Sequence, residues 1–123
     1  MTTTDTMING LHEVYYKDGN LESVGTYVDG IKQGPWKSFH KNGKLKAEGR
    51  FKDDAVTGPW KFYRKSGNLW QTGKFNDNKR DGCWKRYHEN GKLMDEGEYQ
   101  LSKQVGEWRY YNDDGKLLEL KTF

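Results

Sequence analysis

Aromatic, apolar and glycine positions recur along this chain with a period of 24 residues. Each unit has a turn pair such as Asn-Gly, then a leucine two residues after the glycine. In the first four units another glycine follows four residues after that leucine. The tryptophans of the period are Trp36, Trp60, Trp84 and Trp108. Periods of this length are typical of stacked-repeat proteins, in which each unit buries its apolar surface against its neighbours. The pattern therefore predicts five copies of one short unit and argues against a single enclosed catalytic pocket.

The second unit, residues 36–59, predicts a β-hairpin. A strand that begins at Trp36 leads to Asn42-Gly43, the dipeptide that most strongly favours a hairpin turn. Apolar and polar residues then alternate from Leu45 to Phe51, as in a strand with one buried face. A polar loop over residues 52–57 leads to the next unit. Glycine interrupts every segment long enough for a helix. The expected fold class is all-β: a single-layer antiparallel meander of about five stacked 24-residue β-hairpin repeats.

The predicted register depends on the length of the Asn-Gly turn. With a two-residue loop, Trp36 opposes Gly49 and His40 opposes Leu45, and Leu45 lies on the face of Trp36. The bare glycine then leaves room for the indole it opposes. A second aromatic row lies on the opposite face: Tyr15, Phe39, Tyr63, Tyr87 and Tyr111. A bulged three-residue turn would exchange this face assignment.

The repeated residues resemble a known family. Gly34–Lys37 with Asn42–Leu45, and Gly82–Lys85 with Asn90–Leu93, are similar to the bacterial variant of the MORN repeat found in YwqK-type antitoxins. The resemblance covers nearly the whole chain. It implies a curved sheet of stacked hairpins that binds proteins, often as an antitoxin or immunity protein, and it brings no catalytic residues. The expected partner is therefore a cognate protein toxin, neutralised by stoichiometric binding.

Composition separates a leader from the repeats and indicates a compartment. Residues 1–10 are rich in threonine and lack a signal-peptide pattern, so we expect a flexible N-terminal leader there. Residues 11–123 form the predicted MORN-like domain. The mean hydropathy of −1.16 alone would favour disorder, whereas an aromatic content of 15% supplies large buried areas. The lone Cys83 excludes an intrachain disulfide, and no apolar run could span a bilayer, so a cytoplasmic protein is expected.

Positive charge is concentrated in the second and third units. Residues 36–59 hold six basic and three acidic side chains (+3), and residues 60–83 hold six and two (+4). This basic patch would attract an acidic partner. Several of its members are expected to be exposed: Lys41, Lys44, Lys46, Arg50, Arg64, Lys65, Lys74, Lys79 and Arg80. Lys46, Arg50, Arg64 and Lys74 are the predicted partner-binding residues. The alternative is an ordinary solvated surface whose lysines discourage edge pairing.

One position of the repeat changes from polar to apolar along the chain. The residue after the recurrent leucine is Glu22 and Lys46 in the first two units, and Trp70, Met94 and Leu118 in the last three. In the predicted register these three lie beside Tyr63, Tyr87 and Tyr111, on the face opposite the tryptophans. If exposed, such a stripe marks a binding site, because Trp and Tyr dominate interface hot spots. Alternatively, curvature of the sheet covers it as a second core.

The sequence contains no convergent set of catalytic or metal-binding residues. His40 and His88 are two units apart, too far to share a metal, and Cys83 has no predicted base. We therefore expect no enzymatic activity and no cofactor.

The sequence also limits the possible partners. Acidic residues interleaved with the basic ones and a pI of 8.9 argue against binding of nucleic acid. Stable membrane insertion is not expected, and the chain is predicted to be a monomer or an edge-paired dimer. Two alternative functions stay open: a scaffold for other proteins, and a module for anionic lipid head groups or glycans.

Overall fold

The computed structural model describes residues 7–123 and has ten strands in one antiparallel sheet, with no helix in that part of the chain. Neighbouring strands in the sheet are also neighbours in sequence. In chain order they are β1 (Gly10–Tyr15), β2 (Leu21–Val28), β3 (Ile31–Phe39), β4 (Leu45–Lys52), β5 (Ala55–Tyr63), β6 (Leu69–Asn76), β7 (Lys79–Tyr87), β8 (Leu93–Gln100), β9 (Lys103–Tyr111) and β10 (Leu117–Thr122). This confirms the predicted meander of five hairpins. Most of the predicted leader lies outside the described residues.

The loop within each hairpin is longer than predicted. In the second hairpin the His40 N–H donates to the Lys44 carbonyl at 2.8 Å, which closes a three-residue loop over residues 41–43. Within the loop the Gly43 N–H donates to the His40 carbonyl at 2.9 Å, and Gly43 adopts a φ of 87°. The two-residue Asn-Gly loop is therefore wrong, and the structure has the bulged three-residue turn that the sequence left as the alternative.

The tight turns lie between hairpins instead. Asp53 and Asp54 have φ values of 51° and 69°, and positive φ at both central residues is what type I′ turns require. Strand residues Lys52 and Ala55 pair directly on either side of them. The polar loop predicted for residues 52–57 is therefore a two-residue turn between strands. The equivalent turns are Asp29-Gly30, Asp77-Asn78 and Leu101-Ser102.

The longer loop shifts the strand register beside it by one residue. Phe39, rather than His40, pairs with Leu45, and Lys46 is left as a bulge before Ala47. The same bulge leaves Trp70, Met94 and Leu118 without a cross-strand partner. Because paired residues share a face, Leu45 lies with Phe39 and not with Trp36, contrary to prediction.

Each indole covers the hairpin that precedes its own. Trp60 pairs in register with Gly73, yet its ring lies on Gly49, where an added Cβ would be 2.1 Å from the ring. The Trp60 Nε1–H donates to the Arg50 carbonyl at 3.2 Å. Three residues, Gly58–Trp60, bulge opposite Gly49, and Gly58 makes this possible with a φ of 70°. The expectation that each indole lies on the glycine it opposes is therefore wrong, and the contact joins neighbouring hairpins.

The core of this single sheet is a row of rings that runs the length of the molecule. Successive ring centroids are 5.1–6.3 Å apart with nearly perpendicular planes, a favourable aromatic geometry. The row consists of Tyr27, Trp36, Phe51, Trp60, Phe75, Trp84, Tyr99, Trp108 and Phe123. Trp60, Trp84 and Trp108 are only 5%, 2% and 4% exposed. We call the face of the sheet that carries this aromatic row the Trp face.

Candidate functional site

Trp70 borders an open pocket of about 260 Å³, here called the Trp70 pocket. Its lining residues are His40, Lys46, Phe62, Tyr63, Arg64 and Trp70. The pocket brings together two predicted aromatic residues, Trp70 and Tyr63, with two predicted basic residues, Lys46 and Arg64. Trp70 remains 36% exposed, and the basic side chains of Lys46 and Arg64 lie beside it in the lining of the pocket.

The bulge in β6 explains why an indole can occupy this position. Tyr63 pairs with Leu69 and Phe62 pairs with Gln71, which leaves Trp70 outside the ladder. Bulges of this kind redirect side chains and are frequent near functional sites. Lys46 occupies the same bulge one hairpin earlier, so the backbone does not require a tryptophan there.

Arg64 joins the Trp70 pocket to the scaffold. Its guanidinium carbon lies 5.9 Å from the centroid of the Trp70 ring, within cation–π distance. Its Nη2 donates to the Tyr87 carbonyl at 2.9 Å, and its Nε lies 3.6 Å from the Glu89 carboxylate. Three equivalent residues, Tyr16, His40 and His88, also donate to a carbonyl in the next hairpin. Arg64 is therefore half-buried and links the loops, which corrects the expectation of an exposed side chain. Arg80 is also half-buried, over the Trp84 ring.

A second and larger pocket, of about 470 Å³, adjoins the first at His40 and Lys46. It is lined by Tyr16, His40, Lys41, Asn42, Lys46 and Lys65. Among the residues that the structure describes, no acidic side chain lines either pocket. The predicted positive surface is therefore densest along the loop edge of the second and third hairpins, directly beside Trp70.

Two side chains near the pockets have perturbed pKa values. Burial raises the pKa of Tyr63, and the Glu48 carboxylate that accepts its hydroxyl hydrogen bond at 2.9 Å raises it further. Tyr63 is consequently a neutral hydrogen-bonding group at physiological pH. A hydrogen bond from the Ser66 hydroxyl lowers the pKa of Glu89. Glu89 thus keeps the charge that faces Arg64.

The remaining predicted site residues lie elsewhere. Arg50 lines a separate pocket with Lys37, Glu48 and Lys61, and Lys74 forms an ion pair with Asp81 at 3.8 Å. The other members of the predicted stripe line neither of the two pockets described above: Tyr87, Met94, Tyr111 and Leu118. Met94 and the two tyrosines are half-buried, whereas Leu118 is exposed. The structure thus joins only Trp70 and Tyr63 of the six stripe residues in the Trp70 pocket.

A polar row on the Trp face was not predicted from the sequence. Across β6–β9, Gln71 pairs with Arg86, Arg86 with Asp95, and Asp95 with Tyr110. Asp95 is 2% exposed, and the Arg86 Nε donates to its carboxylate oxygens at 3.0 and 3.2 Å. These hydrogen bonds raise the pKa of Arg86. The signal was present in the sequence, because Ala47 stands where the later units have Gln71 and Asp95.

The geometry defines a β-hairpin repeat protein whose recurring residues build the sheet, while its pockets are lined both by recurring residues and by residues such as Trp70 that do not recur. Within residues 7–123, no group of three or more His, Cys, Asp or Glu side chains is placed to hold a metal. The chain belongs to the MORN repeat variant family, whose model matches residues 8–29, 32–53, 56–77, 80–101 and 104–123. Repeats of this family suggest a protein-interaction or membrane-binding module, and their all-β fold is typically non-catalytic.

Two further findings complete the comparison. None of the curated proteins matches this chain. In the part of the chain that the structure describes, there is no helix whose length and apolar character would let it cross a membrane.

Proposed function

We propose that this protein is an interaction module that binds an acidic protein partner through the Trp70 pocket and the lysines beside it. The observation that carries the proposal is the position of Trp70, an indole without counterpart in the other repeats, exposed against Tyr63 and Arg64. Tryptophan and arginine at the centre of a surface are the residues most often found as binding hot spots. The adjoining lysines supply charge complementarity to an acidic surface and accelerate encounter with it.

The specific partner that we propose is a cognate protein toxin in the bacterial cytoplasm, neutralised by stoichiometric binding. Support for it comes from the resemblance of the repeats to YwqK-type antitoxins, which is an argument by analogy. An antitoxin of this kind needs a contact surface and no catalytic group. The two pockets supply such a surface, with aromatic and basic character.

The proposal is tested by replacing Trp70 with the residue that the second hairpin has at the same bulge. Trp70→Lys reproduces Lys46 and should leave the fold intact. The partner would be co-purified with the tagged chain from its own host, identified, and titrated against purified variants. We expect Trp70→Lys to weaken binding by about 30-fold or more, the usual scale of a hot-spot loss.

Met94→Lys is the matched control, since Met94 occupies the same bulge in the fourth hairpin and lines neither pocket. It should leave affinity nearly unchanged. Equal affinities of the parent and Trp70→Lys for the partner would refute the proposed site. An equal loss from both substitutions would show that the Trp70 pocket has no special role.

The lysine-lined pocket also suits the phosphate of an anionic lipid head group, so the same variants should be sedimented with phosphatidylserine-containing vesicles. Trp70→Lys adds a positive charge beside Lys46, which would strengthen attraction to an anionic membrane. It removes the indole that a protein partner would contact. The two functions therefore predict changes of opposite sign for one substitution, and stronger vesicle binding that collapses with salt would favour the membrane.

A further inference from the structure

The polar row on the Trp face differs between the two ends of the sheet. In β6–β9 it consists of Gln71, Arg86, Asp95 and Tyr110, each directly opposite the next. At the same positions β2–β4 have Ser23, Ser38 and Ala47, also directly opposite one another. Small side chains therefore support the same backbone register. The large polar side chains of the later hairpins are not required by the fold.

Stability does not explain the Arg86–Asp95 pair. Desolvation of a buried carboxylate largely cancels its attraction to a neighbouring guanidinium, so such pairs contribute little compared with small or apolar residues. The pair does hold Arg86 in one orientation. Its Nε and Nη2 donate to Asp95, while its Nη1 donates to no other described residue. The guanidinium is thus fixed with donor capacity to spare.

A pocket of about 210 Å³ lies against this row and is lined by further hydrogen-bond donors. Arg80 is held over the Trp84 and Tyr99 rings, at 4.6 and 5.4 Å, and its Nη1 donates to the Tyr99 hydroxyl at 3.3 Å. Gln71 lines the same pocket, and its carboxamide forms no hydrogen bond with the described residues. Its N–H groups are therefore free to donate to an acceptor that enters the pocket.

The charge and walls of the pocket define the ligand class. Two guanidinium groups, of Arg80 and Arg86, and one carboxylate, of Asp95, leave a net charge of +1 among the lining residues. Trp108 and Tyr110 supply aromatic walls. A single positive charge with planar forked donors matches a carboxylate, which carries one negative charge, better than a phosphate that carries two.

We infer that this pocket binds one carboxylate group and that the proposed acidic partner supplies it from an Asp or Glu side chain. The source of the carboxylate, an acidic protein partner, rests on the proposed function. The chemical class of the ligand rests only on the residues that line the pocket. Trp70 borders this pocket as well as the Trp70 pocket. One partner segment could therefore cover the indole and insert an acidic side chain beside it.

The chemistry is tested on the protein alone, by titrating acetate at constant ionic strength and following the Arg86 side-chain Nε–H signal by NMR. We expect saturable shifts in roughly the millimolar range, as for a single small anion. The double variant Arg86→Ser/Asp95→Ala reproduces Ser38 and Ala47 of the second hairpin and should remain folded. In this variant, the backbone amide signals around residue 86 should no longer shift saturably. Gln71→Ala, which likewise reproduces Ala47, should weaken acetate binding several-fold. It provides the same test of the pocket if the double variant does not fold.

Two controls separate this site from general charge and from the Trp70 pocket. Lys61→Ala removes one positive charge that lines neither this pocket nor the Trp70 pocket, and Lys46→Ala removes one from the Trp70 pocket without altering the lining of this one. Both should retain saturable acetate binding. Non-saturable shifts, or shifts that the double variant and Gln71→Ala both retain, would overturn the carboxylate site without affecting the Trp70 proposal. Tighter binding of methylphosphonate than of acetate would overturn the ligand class.

The source of the carboxylate is tested with the co-purified partner. The double variant should bind it about tenfold more weakly, an effect comparable to the loss of one charge-assisted contact. Acetate binding without any change in partner affinity would overturn the assignment to the partner and leave a site for free small carboxylates.

Discussion

In the second hairpin Ser38 lies opposite Ala47, whereas at the same positions of the fourth hairpin Arg86 lies opposite Asp95. Both hairpins nevertheless have the same register, the same three-residue loop and the same bulge after the leucine. The residues they share include the glycines and the tryptophan, whose positions admit few substitutes because of backbone conformation and ring contact. The comparison shows that backbone and surface are determined by different positions of the repeat, so the surface can vary without altering the sheet.

The largest expected effect is on stability: replacing a tryptophan that recurs in the repeats should cost far more free energy of unfolding than replacing one that does not recur. Trp60 is 5% exposed and covers Gly49, so Trp60→Ala should lower the free energy of unfolding by about 3–5 kcal/mol. Trp70 does not recur, and Lys46 stands at the same position one repeat earlier, so Trp70→Ala should lower the free energy of unfolding by roughly 1 kcal/mol or less. Urea denaturation of both variants measures the two values. Similar losses would mean that Trp70 belongs to a second core.

The next effect concerns the polar row. Arg86→Ser leaves the Asp95 carboxylate buried without its partner and should cost about 3 kcal/mol in urea denaturation at neutral pH. The double variant Arg86→Ser/Asp95→Ala removes the stranded charge as well and should return to within about 1 kcal/mol of the parent. A double variant that is less stable than Arg86→Ser would contradict the comparison with the second hairpin.

A smaller effect is expected from the lysines of the loop edge. Reversing Lys41, Lys46 and Lys65 to Glu should slow association with the acidic partner about tenfold at low salt, with little change in dissociation. Reversing Arg50, Lys74 and Lys79, which line neither pocket and change the net charge by the same amount, is the control and should change the association rate less. Stopped-flow measurements at two salt concentrations distinguish the cases. An equal effect of both sets would indicate attraction by net charge alone.

The smallest effect is a pH dependence. Because the pKa of Tyr63 is raised in the folded state, its contribution to stability is present below about pH 10 and is lost as the pH rises past that value. Tyr63→Phe should therefore flatten the alkaline part of a stability curve measured by urea denaturation. Tyr87→Phe is the matched control, since Thr72 stands where Glu48 does for Tyr63. Identical alkaline slopes for the parent and both variants would contradict the assignment.

The period, together with the Asn-Gly turn signal and the alternation within one unit, predicted the ten-stranded sheet, because Gly49 and Trp60 have equivalents in nearly every unit. The Asn-Gly turns were predicted in the right places but one residue too short, and the tight turns between hairpins were not predicted, because contacts with the neighbouring hairpin hold them. The Asp54 N–H donates to the Lys32 carbonyl at 3.0 Å, and its carboxylate accepts from the Lys32 N–H at 2.7 Å. Such contacts overcome the cost of positive φ in residues other than glycine.

The candidate site was predicted in part. Trp70 and Tyr63 do lie together, since both are adjacent to the hairpin loop whichever register the strands adopt. Arg64 was expected to be exposed because its charge was considered without its repeat position, which it shares with Tyr16 and His40. The Arg86–Asp95 pair was not predicted, because a single Arg or Asp in a sequence gives no indication that it has a charged partner. Only the strand register shows that the two face each other.

The contact between each tryptophan and the hairpin before it also determines which changes of chain length the protein can tolerate. Gly49 and Trp60 are eleven residues apart, as are Gly73 and Trp84. Deletion of residues 50–73 would place Trp84 eleven residues after Gly49 and re-create the contact in a chain one repeat shorter. We expect such a chain to fold into eight strands with a cooperative urea transition, while a deletion of twelve residues should not. The number of repeats is thus adjustable in whole units, and the set of pockets on the surface can be lengthened, shortened or recombined with it.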